Sequence, residues 1–158
     1  MKPVPSQNLN QDQANLVAAA IAALDTTYNP YSGYSVGAAV RTQTGKVFSA
    51  SNVENAAYGS SICAERMAIG KANSHRERHI VALAVSSRPD IPNKRHDTAA
   101  PCGSCRQVIY EMSQVSRCDI EIILSDADKT RVFLTTIEEL LPFAFGPKQL
   151  QIDISKFR

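Results

Sequence analysis

His79-Ile80-Val81-Ala82-Leu83-Ala84-Val85-Ser86-Ser87 is apolar without interruption from Ile80 to Val85, with no polar residue alternating through it. A run of that length and β-branched content reads as a strand buried on both faces. Downstream, Pro101 opens a helix that runs to about Ser113, and Asp119 to Leu124 returns as a strand. This strand-helix-strand crossover is the centre of the fold. Upstream, residues 61–73 read as a helix, and residues 36–41 and 46–51 as a hairpin turned by Thr42-Gln43-Thr44-Gly45.

At the edges, Asn10 with Gln13 forms a capping pattern, and Ala14, Val17, Ala18, Ile21 and Leu24 form a helical stripe that reaches about Thr26. Residues 131–135 are a last strand, and Thr136-Ile137-Glu138-Glu139 caps a last helix. The order αββαβαββα predicts an α/β fold with a mixed five-stranded sheet covered by helices. Residues 1–8, with two prolines and no period, read as a loose leader, and residues 1–158 as a single domain.

The formal net charge of +2 is too small, and its charges too scattered, to advertise a long polyanion, so nucleic acid is not an expected partner. The apolar stretch 16–24 is too short to span a bilayer and follows Asn, Gln and Asp rather than a basic segment. No membrane is expected, and four cysteines, three of them tightly patterned, suit the reducing cytoplasm.

Cys102-Gly103-Ser104-Cys105 lies at the mouth of a helix, where backbone N–H groups and the helix dipole favour thiolates. Alone, it fits a redox dithiol, half of a structural zinc knuckle or two buried thiols. Cys63-Ala64-Glu65 changes the balance, because it opens another helix and adds one thiolate. Three protein ligands leave one position for water, and Glu65 stands two residues from a ligand, within reach of that water. Such a constellation is a hydrolytic site. Three thiolates more than cancel a divalent cation, so positive partners are needed, and Arg66 and the two helix N-termini are candidates for that role.

Other polar groups read more simply. Cys118 has no partner at ligand spacing and is a core thiol. His75, His79 and His96 do not fall at ligand spacing for a four-ligand site. Arg76-Glu77-Arg78 is a solvated helix end, whereas Arg88, Lys94, Arg95 and His96 form a basic loop suited to substrate steering.

Cys63-Ala64-Glu65-Arg66 and Pro101-Cys102-Gly103-Ser104-Cys105-Arg106-Gln107 resemble the two signatures of the cytidine deaminase family, in the right order. Tyr31 to Ala39, Asn52 to Tyr58 and Glu139 to Pro147 extend the resemblance over about residues 31–150. It implies a three-layer αβα sandwich, one zinc ion per subunit held by Cys63, Cys102 and Cys105, and a homotetramer with shared active sites. It further implies that Asn52 and Glu54 bind the ribose hydroxyl and that the Ala64 N–H holds the pyrimidine carbonyl. Tyr58 and Phe145 would reach into a neighbouring subunit's pocket. Tyr34 would stack on the base. The family usually has phenylalanine where Tyr34 stands and often proline at Ser35, and residues 88–100 form a longer loop than its typical one.

The activity so implied is hydrolytic deamination of cytidine and deoxycytidine in pyrimidine salvage, by zinc-activated water with Glu65 as proton shuttle. The alternatives are deamination of an aminonucleoside antibiotic or modified cytidine, cytosine editing within a nucleic acid, and a non-enzymatic zinc module. The first lacks the Asn-x-Glu pair, the second needs a basic groove, and the third a fourth protein ligand.

Overall fold

The computed structural model describes residues 1–90, 98–154 and 157. Its strands are β1 (Lys2–Val4), β2 (Tyr34–Thr42), β3 (Val47–Ser51), β4 (Ile80–Pro89), β5 (Glu121–Asp126) and β6 (Val132–Thr136). Its helices are α1 (Gln11–Ala23), α2 (Ala64–Ser74), α3 (Gly103–Ser116) and α4 (Ile137–Leu140). The strands form one mixed sheet in the order β1-β6-β5-β4-β2-β3. Only β4 and β5 pair in parallel, because α3 carries the chain back between them.

Alternation along the central strands sorts side chains into two cores. Ala39, Ala82, Ala84 and Ile123 pack with Leu16, Val17 and Ala20 of α1. Their neighbours Ala38, Val40, Leu83, Val85, Ile122 and Leu124 pack with Ala68 of α2 and Ile109 of α3. A strand covered on both faces has no polar side to show, which is why residues 80–85 are apolar throughout. The result is the three-layer αβα sandwich.

Two expectations need correction. The sheet has six strands rather than five, and residues 1–8 are not a loose leader: Lys2 pairs opposite Leu134 and Val4 opposite Val132 at the edge of β6. Pro3 hid this strand, since proline lacks a ladder donor and is tolerated in sheets mainly at edges. The second concerns α1. Its capping box forms as expected, the Asn10 side chain accepting from the Gln13 N–H while the Gln13 side chain accepts from the Asn10 N–H. Its buried residues, however, are Leu16, Val17, Ala20 and Ala23, whereas Ala18 is exposed. A helix rich in alanine on every side carries too weak an amphipathic signal to fix its inner face.

The packing of α1 is close. At Gly37 on β2, a Cβ would come within 2.1 Å of the Ala20 carbonyl oxygen, so only glycine fits there.

Candidate active site

The two crossovers deliver both signatures to one place. Cys63 is the N-cap of α2 and Cys102 the N-cap of α3, while Cys105 sits in the first turn of α3. The approach to Cys63 is fixed by Val53 and Ile62, which exchange two backbone hydrogen bonds of 2.9 and 3.0 Å and close the arch between them. That arch carries Tyr58. The Glu54 N–H donates to the Tyr28 carbonyl at 2.8 Å, tying the arch to the turn before β2.

The sulfurs of Cys63, Cys102 and Cys105 all lie within 4.8 Å of one another, with Cys102 and Cys105 at 3.6 Å. A tetrahedral ion with metal–sulfur bonds of about 2.3 Å separates its sulfurs by roughly 3.8 Å, so the three residues fit zinc. A disulfide would need about 2.05 Å, and the thiols are unbridged. Among the described residues no other Cys, His, Asp or Glu joins the cluster. Three protein ligands leave a coordination position for a small molecule, which is the mark of a catalytic rather than a closed structural site.

The electrostatics agree with this donor set. The hydrogen bond from Cys105 draws the Cys63 thiol down to about 6 against the opposing effects of burial and the Glu65 charge. The same pairing and burial push Cys105 up. Cys63 and Cys105 therefore do not both ionise on their own, and a cation is what makes both good ligands. Glu65, in the first turn of α2 and only 4% exposed, is pushed up by burial, with Arg66 acting the other way. A buried carboxyl with a raised pKa suits proton transfer near neutral pH.

A cavity of about 310 Å³ joins these groups to most of the expected substrate residues: Tyr34, Asn52, Glu54, Tyr58 and Ala64 line it together with Cys63, Glu65 and Cys102. Ala64 is the first residue of α2, where N–H groups have no intrahelical acceptor. Glu54 is held below the usual carboxylate range by the Ser32 hydroxyl, with the Tyr31 and Ser32 N–H groups donating to Oε2 at 3.0 and 3.2 Å. Asn52 is more committed than expected. Its Oδ1 accepts from the Val36 N–H at 2.9 Å and its Nδ2 donates to the Tyr34 carbonyl at 3.1 Å, continuing the β2–β3 pairing beyond the strand end.

Other expected residues lie elsewhere. Phe145 is 58% exposed and lines a separate cavity with Gln107 and Pro147, away from the thiols of its own chain. Tyr58 is 73% exposed at the rim of its own chain's pocket. Arg66 lines a groove of about 990 Å³ on the outer side of α2, with Met67, Gly70 and Met112, and reaches Cys63 through its charge. That groove is larger than the thiol pocket but holds neither the cysteines nor Glu65. Cys118 packs against the core as expected. Arg88, expected to open the basic loop, instead lies within β4, where it faces Asp25 and Asp90 at 3.5 Å, and Lys94, Arg95 and His96 lie outside the described residues.

Two residues of the second signature have roles that the sequence reading did not assign. The Arg106 guanidinium donates to the carbonyls of Pro101, at 2.8 Å, and Leu140, at 3.3 Å, fastening the segment before α3 to the end of α4. Gln107 donates to the Phe145 carbonyl at 2.7 Å. Their place inside Pro101 to Gln107 was the one available signal, since Leu140 and Phe145, each more than thirty residues away, leave no local trace.

An αβα sandwich with two helix N-termini converging on three thiols and a buried glutamate defines a zinc-dependent hydrolase. Residues 10–121 match the family model for the cytidine and deoxycytidylate deaminase zinc-binding region, and the chain belongs to that family. A cytidine deaminase of Halalkalibacterium halodurans is 39% identical over 139 residues, 88% of this chain and 98% of that one. The blasticidin-S deaminase of Bacillus cereus is 30% identical over 140 residues, 87% of this chain and 95% of that protein. The crystal structure of cytidine deaminase from Burkholderia pseudomallei matches with a TM-score of 0.74 at 39% identity, covering 87% of this chain and 100% of that chain.

Proposed function

We propose that this chain, as a single zinc-dependent deaminase domain, converts cytidine and deoxycytidine with water to uridine or deoxyuridine and ammonia. The observation that carries the reading is the meeting of Glu65, the thiol cradle and the Asn52-x-Glu54 pair around one cavity. When bound by Cys63, Cys102 and Cys105, zinc supplies Lewis-acid activation of a water molecule. Glu65 takes the proton from the attacking water and passes protons to N3 and then to the departing C4 amine. The Ala64 N–H holds the C2 carbonyl, Tyr34 lies along the ring, and Glu54 with the remaining capacity of the Asn52 amide receives the ribose hydroxyl. Arg66 and the helix N-termini offset the excess negative charge of the thiolates.

The Asn-x-Glu pair also favours an unmodified nucleoside over an antibiotic of the blasticidin-S type, and the small net charge of +2 favours a small molecule over a nucleic acid. We further propose a cytoplasmic enzyme of pyrimidine salvage, assembled as a homotetramer in which Tyr58 and Phe145 serve neighbouring pockets. The exposure of Tyr58 and Phe145 supports that assembly.

The test is incubation of zinc-loaded protein with cytidine, following loss of the cytosine absorbance and release of ammonia. Turnover is expected, and Glu65→Gln is expected to lower it by at least on the order of 10² to 10⁴ with zinc retained. No turnover by folded, zinc-loaded protein would sink this reading in favour of a modified nucleoside. An active Glu65→Gln would sink the assigned proton transfer.

A further inference from the structure

Ala99 and Ala100 line the thiol pocket beside Tyr34, and neither belongs to a signature. Both walls are attached to one atom. The Ser87 hydroxyl oxygen, on a residue only 1% exposed near the end of β4, accepts from the Tyr34 hydroxyl at 3.1 Å and from the Ala99 N–H at 3.0 Å. One bond fixes the ring edge of the first wall and the other fixes the backbone at Ala99 in the second. A phenylalanine at position 34 could not make the first.

The same strand end also holds the turn that leads into Tyr34. Asp90 Oδ2 accepts from the Ser35 hydroxyl and from Asn29 Nδ2, both at 2.6 Å, and the Asp90 N–H donates to the Gly33 carbonyl at 2.9 Å. Tyr34 is thus gripped through the backbone before it and through its own hydroxyl, so its ring has little room to retreat.

We propose that Ser87 is a positioning residue that closes this corner of the pocket against the C5 edge of the pyrimidine, making the enzyme selective against C5-substituted nucleosides. The inference rests on the functional reading above. Once C4 faces Glu65 and the thiols, and the C2 carbonyl faces Ala64, the C5 edge is left toward the remaining walls, among them Ala99 and Ala100. A methyl group at C5 then needs the corner to open, which strains both bonds to Ser87.

Specificity constants for cytidine and 5-methylcytidine, measured on the wild type, Ser87→Ala, Tyr34→Phe and the double variant, test this. Their ratio is insensitive to how much of a variant is folded. Ser87→Ala is expected to shift the ratio toward 5-methylcytidine by about 3- to 10-fold, the scale of a hydrogen bond or two. Tyr34→Phe should shift it less in the same direction, and the double variant should shift it by less than the product of the two, because the changes share the Tyr34–Ser87 bond. Ser87→Thr, which keeps the hydroxyl, should restore the wild-type ratio. Should Ser87→Ala not fold, Tyr34→Phe alone decides the matter. A ratio within twofold of wild type in the single variants, or shifts that multiply in the double, overturns the role of Ser87. Absence of cytidine turnover by the wild type instead overturns the functional reading on which it stands.

Discussion

Asn52 illustrates how one side chain can hold the sheet end while lining the pocket. Its amide oxygen accepts from the Val36 N–H and its amide nitrogen donates to the Tyr34 carbonyl, so the two ends are not interchangeable. Asn52→Asp keeps the acceptor but sets a carboxylate oxygen against the Tyr34 carbonyl, whereas Asn52→Ala leaves both backbone groups unpaired by the side chain. Each variant is expected to lose about 1 to 3 kcal/mol of stability, the cost of a part-buried group without its partner, and Asn52→Asp to lose nucleoside turnover despite its similar shape. Urea unfolding and the specificity constant for cytidine check this. Equal stability of wild type and Asn52→Asp would mean that the amide is a substrate contact alone. The chemistry-bearing residues of this site were legible because Cys63, Glu65, Cys102 and Cys105 sit at helix starts, where local spacing dictates geometry. Ser87, Arg106 and Gln107 were not, because each is given its role by a partner distant in sequence.

At the scale of elements, β4 does more than occupy the centre of the sheet, for its end carries the polar anchor of the turn before β2. Burial alone would raise the Asp90 carboxyl, but hydrogen bonds from Ser35, Asn29 and Arg88 outweigh it and leave the group below the usual range. Folding therefore lowers this pKa. The unfolded chain binds the proton more readily, so the contribution to stability is complete above the unfolded value of about 3.9 and fades as pH falls through the lowered folded value. Asp90→Asn is expected to be less stable than wild type at pH 6, with the gap narrowing by pH 3, as urea midpoints at the two pH values would report. A gap independent of pH would assign the anchor to geometry rather than charge. Most element bounds were readable from periodicity and caps, since β4 is long and apolar and Asn10 forms its expected capping box. At Thr136 only half of the expected box forms: its side chain accepts from the Glu139 N–H, while the Glu139 carboxylate turns to the Thr135 hydroxyl and the Met1 amine. β1 was not, because a three-residue edge strand containing Pro3 acquires its conformation only from β6.

For the whole molecule, the question is whether zinc makes the fold or completes it. The three cysteines come from two helices, α2 and α3, that already pack on the same face of the sheet through Ala68 and Ile109, and a second core seals the other face through α1. A small zinc domain lacks such cores and unfolds without its metal. Here the ion ties together two helix starts that hydrophobic packing has brought near each other, while helping to ionise thiols that otherwise oppose one another's charge. Metal-stripped protein is therefore expected to keep its secondary structure and unfold cooperatively, but at lower temperature. Zinc at about 100 times its dissociation constant stabilises by roughly 2.7 kcal/mol, which for a chain of 158 residues corresponds to a Tm increase of about 5 to 11 °C. Calorimetry of stripped and reloaded protein, with circular dichroism of each, measures both parts. Loss of the far-ultraviolet signal on stripping would move the metal from the chemistry of the pocket into the folding of the chain. A retained signal with the expected shift would leave the sandwich as a scaffold that stands on its own cores and presents three thiols and a buried glutamate to one ion and one substrate.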